Sequence, residues 1–156
     1  MKLYDFIDIQ LTERYKHFIV HGPGLYGLTQ LAKEIEKQYQ VNYIDLLKVF
    51  REDRQKSDKI DIFGPTKLTR YLETFNEKGV YIFDQIDFLI NVWDENQVKE
   101  FLAYVDNNQS NSCFIFFMNT ISVLEQKDLI KKNNLGFSRV INILNLRKGG
   151  YIDGKD

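Results

Sequence analysis

The sequence predicts an α/β fold, a three-layer αβα sandwich built on a five-stranded parallel sheet. Three observations predict it. Short apolar runs recur along the chain at His17–His21, Val41–Leu47, Val80–Asp84, Cys113–Asn119 and Arg139–Leu144. Several are apolar almost throughout, the signature of strands buried on both faces. Stretches with helical spacing separate them, and alternation of strand and helix selects parallel connections of one hand.

Taken in order, Leu3, Phe6, Ile7, Ile9 and Leu11 predict a leading helix over residues 1–16. His17–His21 is a β-branched and aromatic strand that stops at Gly22, where glycines crowd into a loop. Leu28, Leu31, Ala32 and Ile35 then recur at three and four residues with charges between them, an amphipathic helix. Val41–Leu47 is the second strand. Arg51 to Asp61 is charged and aperiodic and reads as a loop. Pro65 suits a first helical position, and Leu68, Tyr71, Leu72 and Phe75 line one face of a helix ending by Gly79. The strand Val80–Asp84 follows. Asp94–Val105 is helical, Cys113–Asn119 a strand, Val123–Ile130 helical and Arg139–Leu144 the last strand. A chain of 156 residues fits one domain. Residues 1–148 are expected to form it, with 149–156 a flexible tail.

Composition removes several classes of function. A formal net charge of −1 argues against a strongly basic nucleic-acid binder, though a local basic patch remains compatible with it. The single cysteine, Cys113, rules out an internal disulfide and a cysteine-built zinc site; inside an apolar run it reads as a buried structural thiol. The N-terminal segment carries acids where a signal peptide needs apolar residues, and no run approaches the ~20 apolar residues of a membrane span. A cytoplasmic protein is expected, or a nuclear one in a eukaryote, with no membrane partner.

Ligands of open parallel sheets bind at the carboxyl ends of the strands. Those ends carry His21 with the glycine-rich segment, Asp84, Asn119 and the region of Arg139. Gly22-Pro23-Gly24-Leu25-Tyr26-Gly27-Leu28-Thr29 has the spacing of a P-loop, G-x-x-x-x-G-K-S/T, between a strand and a helix. Backbone N–H groups and the helix N-terminus of such a loop suit an anion. These residues are the candidate cofactor-binding set, for ATP or ADP with Mg2+. Thr29 occupies the place whose hydroxyl holds the metal, with Asp84 as its second ligand. The lysine position is Leu28. Losing one charge-assisted contact costs about 1.5–3 kcal/mol, or roughly one to two orders of magnitude in affinity. A turn that binds nothing is the bland alternative.

Val80–Asp84 with Gln85-Ile86-Asp87 has the form of a Walker B strand, apolar residues ending in a metal-binding acid. Gln85 stands where a glutamate would polarise water; an amide orients water but accepts no proton. Leu28 and Gln85 weaken one reaction at two independent points, so no autonomous ATPase is predicted. For Asp84 the alternative is a strand-end acid capping a helix. A receiver domain could use Asp84, Thr120 and Lys148, but His21-Gly22 stand where its acidic pair belongs. Gly22, Gly24 and Gly27 also fit G-x-G-x-x-G, with Asp45 near the expected ribose-binding distance. His17 and His21 lack a cluster of partners for a ligand role.

On these motifs the chain resembles the ATPase core of the AAA+ superfamily, and most closely its initiator clade (origin-recognition-complex and archaeal initiator proteins), over roughly residues 17–146. Asp84-Gln85-Ile86-Asp87 follows that clade's D-E-x-D except at Gln85. Asn119-Thr120 matches its Asn-Thr, and Ser138-Arg139 its Ser-Arg before the last strand. The resemblance implies Gln85 and Asn119 as vestigial contacts to water and the γ-phosphate, and Arg139 as a finger reaching a neighbouring subunit's site. It implies larger protein partners, AAA+ or DNA-processing, with nucleic acid contacted indirectly at most. Neither a helical lid nor a winged helix is expected from the sequence. In size and layout the chain is similar to the small P-loop proteins of BREX anti-phage systems. The function expected is a non-catalytic or weakly nucleotide-binding subunit of a DNA-handling complex, in anti-phage defence or DNA replication. The alternatives are a slow ATPase activated by a partner and a scaffold that binds no nucleotide.

Overall fold

Alternation along the central strands decides which layer of helices each side chain meets. In the computed structural model, which describes residues 1–24, 27–147 and 151–152, the strands are β1 (Phe18–Gly22), β2 (Val41–Asp45), β3 (Val80–Asp84), β4 (Cys113–Asn119) and β5 (Val140–Asn142). They form one five-stranded sheet in the order β2-β3-β4-β1-β5, every pair parallel. Phe18, Val20, Val80, Ile82, Ile115 and Phe117 share a core with α1 (Leu3–Thr12) and α2 (Leu28–Gln38). Their neighbours Ile19, Tyr81, Phe83, Phe114, Phe116 and Met118 belong to the opposite core. There they meet α3 (Leu46–Glu52), α5 (Pro65–Leu72), α6 (Asp87–Ile90) and α7 (Glu95–Asn107). Period-two alternation thus divides the interior into two layers, and the three-layer αβα architecture holds. Each fully buried Phe, such as Phe83 or Phe116, contributes roughly 1.5–3 kcal/mol of transfer free energy.

The strand order separates this fold from two alternatives. The doubly wound orders of dinucleotide-binding and flavodoxin-like folds place β1 beside β2; here β1 lies between β4 and β5. Asp45, the candidate ribose-binding acid, instead caps α3 by accepting from the Lys48 N–H at 3.0 Å. Lys148 lies outside the described residues.

Several element boundaries differ from expectation, each for a local reason. Arg51 to Asp61 is helical in pieces rather than a loop: α3 runs to Glu52, α4 spans Arg54–Ser57, and a 3-10 turn covers Ile60–Ile62. One of its aspartates is a cap, Asp53 accepting from the Lys56 N–H at 3.2 Å, so a charge that hid the periodicity starts α4. Val123–Ile130 is not an α-helix. It holds a 3-10 turn, Ser122–Glu125, and Asp128 adopts φ +59°. α1 ends at Thr12, four residues before the expected end at 16, because Gln10 Nε2 takes the carbonyl of Lys16 at 3.0 Å and turns the chain. The second strand stops at Asp45, the α5 helix at Leu72, and the last strand shrinks to Val140–Asn142 before a 3-10 turn, Ile143–Asn145. In the tail expected to be flexible, Tyr151–Ile152 (β7) pairs antiparallel with Leu146–Arg147 (β6). The rest of 149–156 lies outside the described residues.

Candidate functional site at the carboxyl end of the sheet

Parallel register puts the candidate residues at one edge. Gly22 pairs with Asn119 and Asp45 with Asp84. Phe83 pairs with Phe116, so Asp84 is level with Phe117, and β4 runs two residues further to Asn119. The β3 strand, level with β2, therefore ends two residues short of β4 on the side of β4 away from the glycine loop. Asp84, 3 % exposed, is the last residue of β3.

Three donors converge on its carboxylate. The Thr29 hydroxyl donates to Oδ2 at 2.8 Å, the Tyr43 hydroxyl to the same oxygen at 2.6 Å, and the Gln85 N–H to Oδ1 at 2.9 Å. Gln85 has φ +64°, a left-handed conformation rare outside glycine, and its side-chain Nε2 donates to Thr29 Oγ1 at 3.0 Å. Thr29, Asp84 and Gln85 therefore close a ring of hydrogen bonds. The sequence singled out those three, and the fold brings them together. It gave no reason to choose Tyr43, on the edge strand β2; only the pairing of Asp45 with Asp84 brings that phenol within reach. Burial first, then the bond to Asp84, pushes the Tyr43 phenol well above its usual range and keeps it a donor.

Asn119 joins the site through its backbone, donating from N–H to Asp87 Oδ1 at 2.7 Å. Burial raises the Asp87 carboxyl above its ordinary range, and the charge of Asp84 adds to the rise. The side chain of Asn119 lies beside Gly24, where an added Cβ would stand 3.4 Å from Oδ1. Behind the loop, Thr120 N–H donates to the Gly22 carbonyl at 2.9 Å and Thr120 Oγ1 pairs with His21 Nδ1 at 2.8 Å.

Two glycines of the loop answer to different constraints. Gly27 has φ +76° as it enters α2. At Gly22 a Cβ would stand 2.2 Å from Ile143 Cγ2, so the requirement is close packing. Leu28 is 8 % exposed and belongs to the core shared by α1 and α2. The position that carries lysine in a P-loop is thus a core position here, flanking Gly22 together with Ile143. Pro23 and Gly24 continue the loop; Leu25 and Tyr26 lie outside the described residues.

Arg139 corrects an expectation. It is 1 % exposed, and its guanidinium donates to the carbonyls of His17 (3.0 Å), Val105 (2.8 Å) and Lys131 (3.1 Å), with Asp106 Oδ1 at 3.5 Å. A side chain engaged in this way ties β5 to α7 and has no reach into a neighbouring subunit. His17 is a buried core histidine, and Cys113 is buried with its thiol pushed up to about 12 by desolvation.

The donor set bears on Mg2+. That ion keeps several waters and needs only one or two carboxylates beside phosphate oxygens, so a paired hydroxyl and carboxylate at Thr29 and Asp84 fit it. Among the described residues no group of three or more His, Cys, Asp or Glu is placed to hold a metal, and no helix is long and apolar enough to cross a membrane. No protein-family model matches the chain, and no curated protein matches its sequence.

Proposed function

We propose that this chain is a P-loop-type subunit, resembling the AAA+ core, that binds ATP or ADP with Mg2+ weakly and does not hydrolyse it alone. The observation that carries the reading is the 2.8 Å contact between the Thr29 hydroxyl and the Asp84 carboxylate. It joins the first turn after a glycine loop to an acid on a strand tip, the pair a magnesium-nucleotide site needs. Mg2+ when bound would neutralise phosphate charge. Thr29 and Asp84 would hold it, and the N–H groups around Gly24 and Gly27 would meet phosphate oxygens. Gln85 orients water without taking its proton, and Leu28 supplies no charge. Such a subunit would work inside a larger protein assembly, and the resemblance to initiator ATPases and to small BREX proteins suggests one that handles DNA.

Thermal unfolding with increasing ATP·Mg2+ tests the reading. Stabilisation should grow with ligand concentration and reach about 2.7 kcal/mol at a hundredfold excess over Kd. Thr29→Ala should abolish it, and Leu28→Lys should strengthen binding by about one to two orders of magnitude. Turnover gained with Leu28→Lys would favour a slow ATPase that needs a partner's charge. A second reading, a scaffold that binds no nucleotide, draws on the apolar packing of Leu28 and Ile143 around Gly22. No shift at millimolar ATP, in either form, would select it.

A further inference from the structure

The amino end of the sheet carries a cavity that the glycine loop does not touch. It has a volume of about 590 Å3, within the range of small-molecule sites, and lies where the chain enters β3 and β4. Its chemistry is one-sided. Arg14 and Lys16 line it against a single carboxylate, Glu73. The Arg14 guanidinium lies 5.4 Å over the Tyr15 ring, and Lys16 Nζ donates to the Glu13 carbonyl at 2.6 Å. Neither cation has a carboxylate partner among the described residues. Lys131, 4.6 Å from the same Tyr15 ring, is by contrast paired with Asp106 at 3.2 Å and does not line the cavity.

Buried groups fix the polar wall. Phe114 N–H donates to His17 Nδ1 at 3.0 Å, so the neutral ring carries its proton on Nε2. That proton goes to Asn108 Oδ1 at 2.8 Å, which leaves the Asn108 NH2 group to face outward. Asn108 lines the cavity and is half-buried, and among the described residues no buried side-chain nitrogen or oxygen lacks a partner, so its NH2 group is not sealed away from a ligand. Asn111 and Gln109 add further amides. The same histidine organises the rings. It stacks on Phe114 at 4.5 Å and 7°, and on Tyr104 at 5.9 Å and 20°. Phe114 and His17 are buried, whereas Tyr104 is half-exposed and lines the cavity. A planar ligand would extend this stack.

Cations for phosphate, oriented amides for a base edge and a ring for a base face together define one ligand chemistry. We propose that this cavity binds a nucleotide of single-stranded nucleic acid, its base against Tyr104 and Asn108 and its phosphate on Arg14 and Lys16. A phosphorylated peptide would use the cations but leave the ring and the amides without a role. The contact is direct and local, and a net charge of −1 is compatible with a site that holds one or two phosphates.

Fluorescence anisotropy of a short labelled single-stranded DNA, with AMP as a second probe, tests this on the whole chain. The strand should bind with a log–log salt slope of about −0.7 per phosphate held. Arg14→Glu with Lys16→Glu should weaken it about tenfold or more. Tyr104→Leu should weaken it about fivefold to a hundredfold. Unchanged thermal unfolding of the Arg14 and Lys16 variant, altered only at the surface, shows that folding is not the cause. If AMP binds, and the same substitutions remove it while the strand stays unbound, the single-stranded proposal is overturned in favour of a free-mononucleotide site. Absence of binding by both probes overturns the proposal. So does binding indifferent to Arg14, Lys16 and Tyr104, AMP binding lost instead with Thr29→Ala, or a phosphoserine peptide that binds as tightly as the strand.

Discussion

Arg139 donates to three backbone carbonyls from inside the protein, while Asp106 supplies a partly exposed counter-charge. Removing one partner of a buried polar network leaves the others without compensation. Arg139→Met, which keeps the volume, should therefore cost about 3–5 kcal/mol in urea unfolding. A loss below about 1 kcal/mol would mean that the carbonyls find water instead. Tyr43 makes a smaller claim. Tyr43→Phe leaves Asp84 with Thr29 and the Gln85 N–H, so stability should drop by about 1 kcal/mol. An unchanged midpoint would show that the phenol contributes nothing net. Neither role was legible beforehand. Arginine before a strand looks alike at a surface and in a core, and a tyrosine two residues before a strand tip gives no sign of the acid its hydroxyl will meet.

Packing between elements governs the glycine loop at its base. Ile143 on the 3-10 turn after β5 fills the space a Gly22 side chain would need. Gly22→Ala should destabilise by about 1–3 kcal/mol through overpacking, and combining it with Ile143→Ala should recover most of that loss. If the pair of substitutions proves additive in differential scanning calorimetry, the two residues do not compete for space. Helix-level legibility followed the periodicity. The α2 and α7 helices were plain in the sequence: Leu28, Ala32 and Ile35 mark one face of α2, and α7 lies on the stretch Asp94–Val105 that reads as helical, the structure adding a capping box of Asp94 and Gln97 at its start. The charged stretch through α3 and α4 was missed because two of its aspartates serve as caps, and caps have no period.

At the scale of the whole molecule, buried titratable groups tie stability to pH. Desolvation, with smaller contributions from the charges of Arg139 and Lys16, lowers the His17 pKa from 6.5 to about 4. Between those values the unfolded chain binds more protons than the folded one, so stability rises with pH. It is greatest above about 6.5 and declines as the pH falls toward about 4, by about 3 kcal/mol from this residue. His21, also lowered by burial, contributes with the same sign. Urea unfolding at pH 7 and pH 5 should show the loss, and His17→Gln should flatten the difference between them. Equal steepness in wild type and variant would sink the assignment.

The sequence by itself determined the α/β class, the five parallel strands and the strand-tip positions of Gly22, Asp84 and Asn119, because these follow from local period and from where apolar runs stop. Tertiary structure decided the strand order, the meeting of Thr29, Tyr43 and Gln85 at Asp84, the burial of Leu28 and Arg139, and the cavity at the far end of the sheet. Each of those depends on contacts between residues distant along the chain. Hydrophobic pattern says which side of an element faces inward, but register and packing choose what it faces.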